Sequence, residues 1–437
     1  MTGMEYLERL YRQGASKPGL SRIRTLLARL DDPQHKIQCV HVAGTNGKGS
    51  TCVFLESILR ASGYRTGAFL SPHLVSIREY IRLDGEICPE DLFEQYAGRI
   101  MDECLAIGQS DGDAPTFFEA VTALAFHAFD IEGVDIAVIE TGMGGTLDAT
   151  NVIDPLLSVI TPVDLDHTAY LGGTIEQIAA HKAGIIKPGR PAVIAPQGHG
   201  AARAVLLERA HALGSRVIDA VGCTVQIESA RLDGTKFSME CAQSRRYYQI
   251  SLPGRHQVQN AAAAVLAARC FKELGFLQIT NRSISRGLRT AKWPGRLEIA
   301  RGDVNFIFDG AHNPHGAKAL ADFMAEQLPG ENIVLVCGLL GTKDAAGIVR
   351  EFARFSREAV LTTPEHAHAL NPRELRGVFE ENGFGIHVEE RPGEAVRLAA
   401  RLAGSGGWVV VSGSLYLLGA ARGMLESAAC YPHSRIV

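Results

Sequence analysis

The stretch His41-Val42-Ala43-Gly44-Thr45-Asn46-Gly47-Lys48-Gly49-Ser50-Thr51 combines closely spaced glycines with one lysine and adjacent hydroxyls. Glycines let backbone N–H groups approach an anion, and a helix N-terminus adds partial positive charge. Lys48 reaches outer phosphates in this reading, and Ser50 or Thr51 faces a metal ion. The strict P-loop pattern fails, because Val42 stands where its first glycine belongs and Gly49 follows the lysine. Further along are groups suited to divalent-metal chemistry: Ser71, Glu140 and His167. A carboxylate at a buried strand tip, Glu140, is placed like the acidic metal ligand of nucleoside triphosphatases. His167 carries an imidazole that binds divalent ions, but a lone histidine needs the rest of the constellation to support the role. Lys182 reaches the cluster only if its helix points back toward the strand ends.

These residues need a scaffold of strand ends. An apolar run from Ile37 to Val42 predicts a buried strand before the loop, and a helical pattern runs from Thr51 to about Ala61. Further buried strands are expected at Thr66–Leu70, Val134–Ile139, Leu156–Thr161 and Pro191–Ala195. Ser71, Glu140 and His167 follow three of these runs, where open α/β sheets bind ligands. Residues 1–35 read as amphipathic helix packed over the first strand. Pro115-Thr116-Phe117-Phe118-Glu119 opens a helix, and its aromatic pair suits either a flat heterocycle or the core. Thr174 and Gln177 have capping-box spacing, which starts the helix bearing Lys182.

Between Cys223 and Leu252 the pattern alternates, with a turn at Asp233-Gly234, which predicts a small antiparallel addition. An alanine-rich helix follows to Leu274, and Lys292-Trp293-Pro294-Gly295-Arg296 reads as an interdomain linker. Strands expected at Asn305–Asp309, Ile333–Cys337, Ala359–Thr363 and Trp408–Ser412 alternate with helices. The fold expected is α/β throughout: a P-loop-type parallel-sheet ATPase domain over 1–294 with the antiparallel addition, and a smaller Rossmann-like domain over 295–437.

The 437 residues are 46% hydrophobic and 21% charged, ordinary globular values that need no staples. A formal net charge of −4 gives no overall basic footprint for nucleic acid. No apolar run is long enough to span a bilayer, and the N-terminus lacks a secretory pattern. Nine scattered cysteines without a C-x-x-C pair read as reduced core residues of a cytoplasmic protein.

Several stretches in order resemble one family: Gly44-Thr45-Asn46-Gly47-Lys48-Gly49-Ser50, Ser71-Pro72-His73-Leu74, Pro115 to Ala120, Leu147-Asp148-Ala149-Thr150-Asn151, Asp166-His167-Thr168, Lys182-Ala183-Gly184-Ile185, Pro294-Gly295-Arg296, Asp309 to Pro314 and Gly413-Ser414-Leu415-Tyr416. From about residue 5 to 425 the chain resembles the dihydrofolate synthase/folylpolyglutamate synthases of the Mur-ligase superfamily. The resemblance implies an ATP-dependent ligase joining glutamate to dihydropteroate and to reduced folates. It implies ATP-phosphate contacts from Asn46, Gly47, Lys48, Gly49 and Ser50, and nucleotide contacts from Asn260, Arg296 and Asp309. It implies two magnesium sites held by Ser71, Glu140, His167 and a carbamylated Lys182. Thr116, Phe117, Phe118, Glu119, Leu147 and Asp148 match the pterin segment, and Asp309, His312 and Ser414 match positions tied to glutamate binding or domain closure. Lys48, Glu140, His167, Lys182, Asp309 and His312 form the implied catalytic set. The expected partners are small molecules only, with no nucleic acid and no membrane, and the expected state is a monomer. One departure stands out: Tyr80 follows Glu79 where the family commonly has arginine, leaving Arg78 or Arg82 to supply that anion contact. The rival readings are a cell-wall amino-acid ligase and a P-loop switch, which hydrolyses ATP without an amino acid.

Overall fold

Continuous runs of Val, Ile and Ala build strands buried on both faces, which a parallel sheet covered by helices requires. The computed structural model describes residues 1–14, 17–341, 343–366, 368–427 and 435–436. The first sheet comprises β1 (Gln38–Ala43), β2 (Thr66–Phe69), β3 (Ile81–Leu83), β4 (Glu86–Ile87), β5 (Ile136–Glu140), β6 (Leu157–Ile160), β7 (Ala192–Ile194) and β8 (Val217–Asp219). Their order is β4-β3-β2-β5-β1-β6-β7-β8. The run from β2 to β8 is parallel, while β3 and β4 add an antiparallel edge. Register sets Val42 opposite both Glu140 and Val159, so β1, β5 and β6 end at one level. The chain leaves β1 toward one edge for β2 and later passes to β6 on the other side. The strand order therefore reverses at β1, which opens a crevice at the carboxyl ends.

The helix after β1 spans Lys48–Ala61, three residues earlier than the sequence pattern predicts, with Gly47 as its N-cap. It is covered by the helices Arg255–Glu273 and Asn281–Thr290. The run of small side chains from Ala261 to Ala264 lies fully inside this layer, where alanine permits close helix approach. The N-terminal segment forms two helices, Gly3–Gln13 and Ser21–Ala28. They pack on the helices Glu90–Asp111 and Phe117–Ile131, and the leucines of the second share one buried cluster with Cys39 of β1.

The antiparallel addition is β9 (Cys223–Arg231), β10 (Gly234–Cys241) and β11 (Ser244–Ile250). Its β9–β10 register sets Cys223 directly opposite Cys241, and the two form a disulfide with Cα atoms 4.5 Å apart. This corrects the expectation of uniformly reduced cysteines: hairpin pairing brings together residues 18 apart that linear spacing does not connect. Cys39, Cys52, Cys88, Cys104, Cys270 and Cys337 are free and buried. Cys430 lies outside the described residues.

The third sheet holds β12 (Glu298–Arg301), β13 (Asn305–Phe308), β14 (Ile333–Cys337), β15 (Glu358–Leu361), β16 (Gly385–Val388), β17 (Trp408–Ser412) and β18 (Arg435–Ile436). The order is β16-β15-β14-β17-β13-β12-β18, parallel from β16 to β13. An α/β architecture with a parallel N-terminal sheet and a C-terminal α/β domain is therefore what the chain forms. No helix among the described residues is long and apolar enough to cross a membrane.

Candidate active site

The phosphate loop is held from several sides. Thr45 and Asn46 donate their backbone N–H groups to Pro162 O, and Thr45 Oγ1 donates to Asp164 O. Gly47 has φ 84, and a Cβ there would stand 2.2 Å from Asn260 Oδ1. Glycine is thus required both for the left-handed backbone and for the approach of Asn260. Gly49 lies against the ring of Trp293 in the linker. No side chain caps the helix Lys48–Ala61, so its first-turn N–H groups face the crevice. Lys48 Nζ rests on Thr45 O at 3.3 Å.

A cavity of about 230 Å³ opens over this loop. Asn46, Gly47, Lys48, Gly49 and Ser50 line it, with Ser71, Glu140, His167, Asn260, Arg296, Asp309 and His312. Thus most of the predicted nucleotide and metal residues share one wall system, drawn from both domains. Glu140 is buried, and Oε2 accepts the Ser71 N–H at 2.9 Å. Burial raises its carboxyl above the usual range, against the opposing pull of Lys48. His167 has left-handed backbone (φ 50, ψ 38), and burial lowers its imidazole below the ordinary value, which favours the neutral, ligating form.

Lys182 lies beneath the loop rather than on the cavity wall. It is 4% exposed, and Nζ donates to Gly44 O at 2.7 Å. Burial, assisted by Lys48, lowers its ammonium to about 7. Such a lysine is unusual at a position without a carboxylate in contact, because burying a charge without a counter-ion is costly.

From the second domain, Asp309 accepts from Leu297 N and Ala311 N at 3.0 Å each and so ties the linker to the strand end. Arg296 runs over Gly310, where a Cβ would meet its Nη1. His312 Nδ1 stands 2.7 Å from Gly310 O and must donate to it, which leaves Nε2 unprotonated; burial lowers this imidazole to about 4. Ser414 is 2% exposed, lines neither this cavity nor the next, and accepts from Tyr416 N at the start of the helix Leu415–Ser427.

Cross-domain contacts missed by sequence reasoning secure the crevice. Asp166 and Lys343 form an ion pair at 2.8 Å, each side chain at most 15% exposed. Burial alone raises the Asp166 carboxyl, but His167 and Lys343 outweigh it and bring it to about 2. Asn46 Oδ1 accepts from Asn313 Nδ2 at 3.1 Å, and Asn46 Nδ2 meets His315 Nδ1 at 3.2 Å. Asp166 and Asn313 sit inside quoted motifs, whereas Lys343 carries no sequence signal beyond its place after a strand.

A second cavity of about 270 Å³ shares Gly142 with the first. Thr116, Phe118, Glu119, Leu147 and Asp148 line it, as do Lys17, Tyr170 and His181, which sequence reasoning left out. A Cβ on Gly142 would lie 2.5 Å from Phe118 Cζ, so the ring and the strand-end turn fit only with glycine. Phe117 does not line this cavity; it packs edge-on against Tyr11 and Tyr80. Two adjacent helical residues point about 100° apart, so one aromatic of the pair meets the cavity and the other the core. Asp148 is buried, accepts from Met143 N at 2.8 Å and Thr150 N at 3.0 Å, and shapes the turn.

Tyr80 is buried beside Phe69, His73 and Phe117, with no cation in the cluster. The Arg82 guanidinium stacks over Trp293 and donates to Gly85 O. Arg78 turns to Cys88 O.

Magnesium fits the first cavity. Its walls offer hard oxygen donors, the Glu140 carboxylate and the Ser71 hydroxyl, beside a phosphate cradle. Among the described residues no group of three or more His, Cys, Asp or Glu side chains gathers as a metal cage. Magnesium commonly takes one or two protein carboxylates and completes its shell with phosphates and water, so the sparse set suits it.

Comparison with known proteins supplies an independent line. The profile of the Mur ligase middle domain matches residues 42–268, and that of the Mur ligase glutamate ligase domain matches residues 295–415. Dihydrofolate synthase/folylpolyglutamate synthase of Bacillus subtilis (strain 168) is 35% identical over 415 residues, covering 94% of this chain and 95% of that protein. The solved structure of Mycobacterium tuberculosis folylpolyglutamate synthase complexed with ADP and AMPPCP matches with a TM-score of 0.88 at 32% identity, covering 98% of this chain and 99% of that one. E. coli FolC in complex with DHPP and ADP matches with a TM-score of 0.84 at 27% identity, covering 98% of each chain.

Proposed function

The chain belongs to the dihydrofolate synthase/folylpolyglutamate synthase family of Mur-type ligases and is an ATP-dependent ligase; from that premise we propose how its own residues divide the work. The carrying observation is the pair of cavities that meet at Gly142, one over a phosphate loop and one walled by Phe118. ATP takes the first, as the ADP and AMPPCP complexes of the relatives support. A pteridine acid takes the second, with its carboxylate directed past Gly142 toward the γ-phosphate; that E. coli FolC was solved with both DHPP and ADP supports a site for two ligands.

The acceptor carboxylate oxygen attacks the γ-phosphorus, the bridging P–O bond breaks, and ADP leaves. The first-turn N–H groups, Lys48 and Arg296 hold the phosphate oxygens in line and offset their charge. Glu140 and Ser71 would hold magnesium, which supplies Lewis-acid stabilisation of the transferring phosphoryl group. The glutamate amine then attacks the acyl carbon, and phosphate departs with the C–O bond. His312 Nε2 is free to accept a hydrogen bond from the incoming amine. The neutral fraction of Lys182 suits carbamylation, in which the amine adds CO2 and releases a proton, giving a carboxylate at a point where Nζ now meets only Gly44 O. Incubation with 13C-bicarbonate should give a carbamate resonance that is absent from Lys182→Met. We place the domain boundary at 294/295 and the monomeric enzyme in the cytoplasm.

Phosphate release is the test. ATP- and glutamate-dependent turnover with both dihydropteroate and a reduced folate monoglutamate supports a bifunctional enzyme. Turnover with one of them narrows the reading. ATP hydrolysis that ignores both acids and glutamate overturns it.

A further inference from the structure

Arg22 lies on the short helix Ser21–Ala28, outside every motif quoted above, yet two of its three guanidinium contacts go to Glu119 and Lys17, which line the second cavity. Nε donates to Glu119 Oε2 at 3.1 Å, Nη1 to Asp113 Oδ2 at 3.1 Å, and Nη2 to the backbone carbonyl of Lys17. Lys17 returns to Asp113 through Nζ at 2.7 Å. The Arg22 side chain is 10% exposed and that of Glu119 is 4% exposed. Glu119 and the Lys17–Gly19 segment both line the cavity, from opposite ends of this network.

The two oxygens of Glu119 are used unequally. Oε2 accepts from Arg22, Thr116 N and Thr116 Oγ1. Oε1 is shut off from solvent and has no partner. A planar, forked guanidinium fixes a carboxylate's orientation in a way that a single-point cation does not.

We propose that Arg22 is a positioning residue for the acid substrate: it locks Glu119 and the Lys17–Gly19 segment into one wall of the cavity that receives the acid. This rests on the reading of the second cavity as the pteridine site. The network touches nothing in the phosphate-loop cavity, so its loss acts on acid binding and leaves nucleotide binding alone.

The experiment is steady-state kinetics with dihydropteroate, ATP and glutamate varied in turn. Arg22→Met should raise the KM for dihydropteroate about tenfold or more, with the KM values for ATP and glutamate within about twofold of wild type. Arg22→Lys keeps the charge without the fork and should recover only part of the loss. In a Glu119→Gln background, Arg22→Met should raise the KM by clearly less than it does in wild type, because the two share one of Arg22's contacts. Asp113→Ala is a surface change that keeps the core intact, and it should raise the same KM about threefold. An unchanged dihydropteroate KM in both Arg22→Met and Asp113→Ala overturns the inference, as does a fall confined to kcat. Wild-type enzyme that turns over no pteridine acid overturns the functional reading itself, whereas wild-type turnover with a flat Arg22 series overturns this inference alone.

Discussion

Replacing Lys182 with methionine should stabilise the protein while abolishing ligation. The ammonium falls from an ordinary 10.5 to about 7 because burial and Lys48 oppose its charge. A drop of about 3.5 corresponds to roughly 5 kcal/mol against the folded state when the lysine is protonated in both states. The Nζ–Gly44 O hydrogen bond returns about 1.5–3 kcal/mol of that, since donors carrying charge make stronger bonds. Methionine keeps most of the apolar stem, so a net gain of about 2 kcal/mol is expected at or below neutral pH. The sign follows from proton binding. Between about 7 and 10.5 the unfolded chain holds more protons at this site than the folded one, so wild-type stability rises with pH across that window. The variant lacks that rise, and its advantage fades toward pH 10. The assay is urea unfolding of nucleotide-free protein in CO2-depleted buffer at pH 6.5 and 9.5. A Lys182→Met protein less stable than wild type at pH 6.5, or a gap that ignores pH, refutes the reasoning.

Gly142→Ala drives a Cβ into Phe118 and should raise the KM for the pteridine acid about tenfold, with ATP binding retained, as nucleotide titration will check. Gly47→Ala meets Asn260 and a positive φ together; it should weaken ATP binding at least about tenfold in the same titration. Lys343→Met unpairs Asp166. That carboxylate, held at about 2 against an ordinary 3.8, contributes stability above about pH 4 that is lost as pH falls toward 2. Its removal should raise the midpoint of acid unfolding and widen the small-angle scattering envelope at neutral pH, and an unchanged envelope counts against an interdomain latch.

The parallel sheets were legible because buried strands are short, unbroken apolar runs, and the strand-end placement of Glu140 and His167 follows from that pattern alone. The β3–β4 edge was overlooked although Asp84 and Gly85 (φ 48 and 83) mark a tight hairpin turn, because the flanking strands are only three and two residues long. The split of Phe117 from Phe118 needed the helix axis, which composition does not provide. The cysteine pairing needed the hairpin register. Arg22, Lys17 and Lys343 owe their roles to contacts about 90 to 180 residues away, and local patterns carry no trace of such distances.

The central claim is that an acid held in the second cavity takes the γ-phosphate from the first on its own carboxylate oxygen. The direct measurement is turnover of dihydropteroate labelled with 18O in its carboxylate, with mass analysis of the phosphate released. One 18O per phosphate, in step with amide formed, is the result expected. Unlabelled phosphate, or label recovered in AMP, contradicts the account.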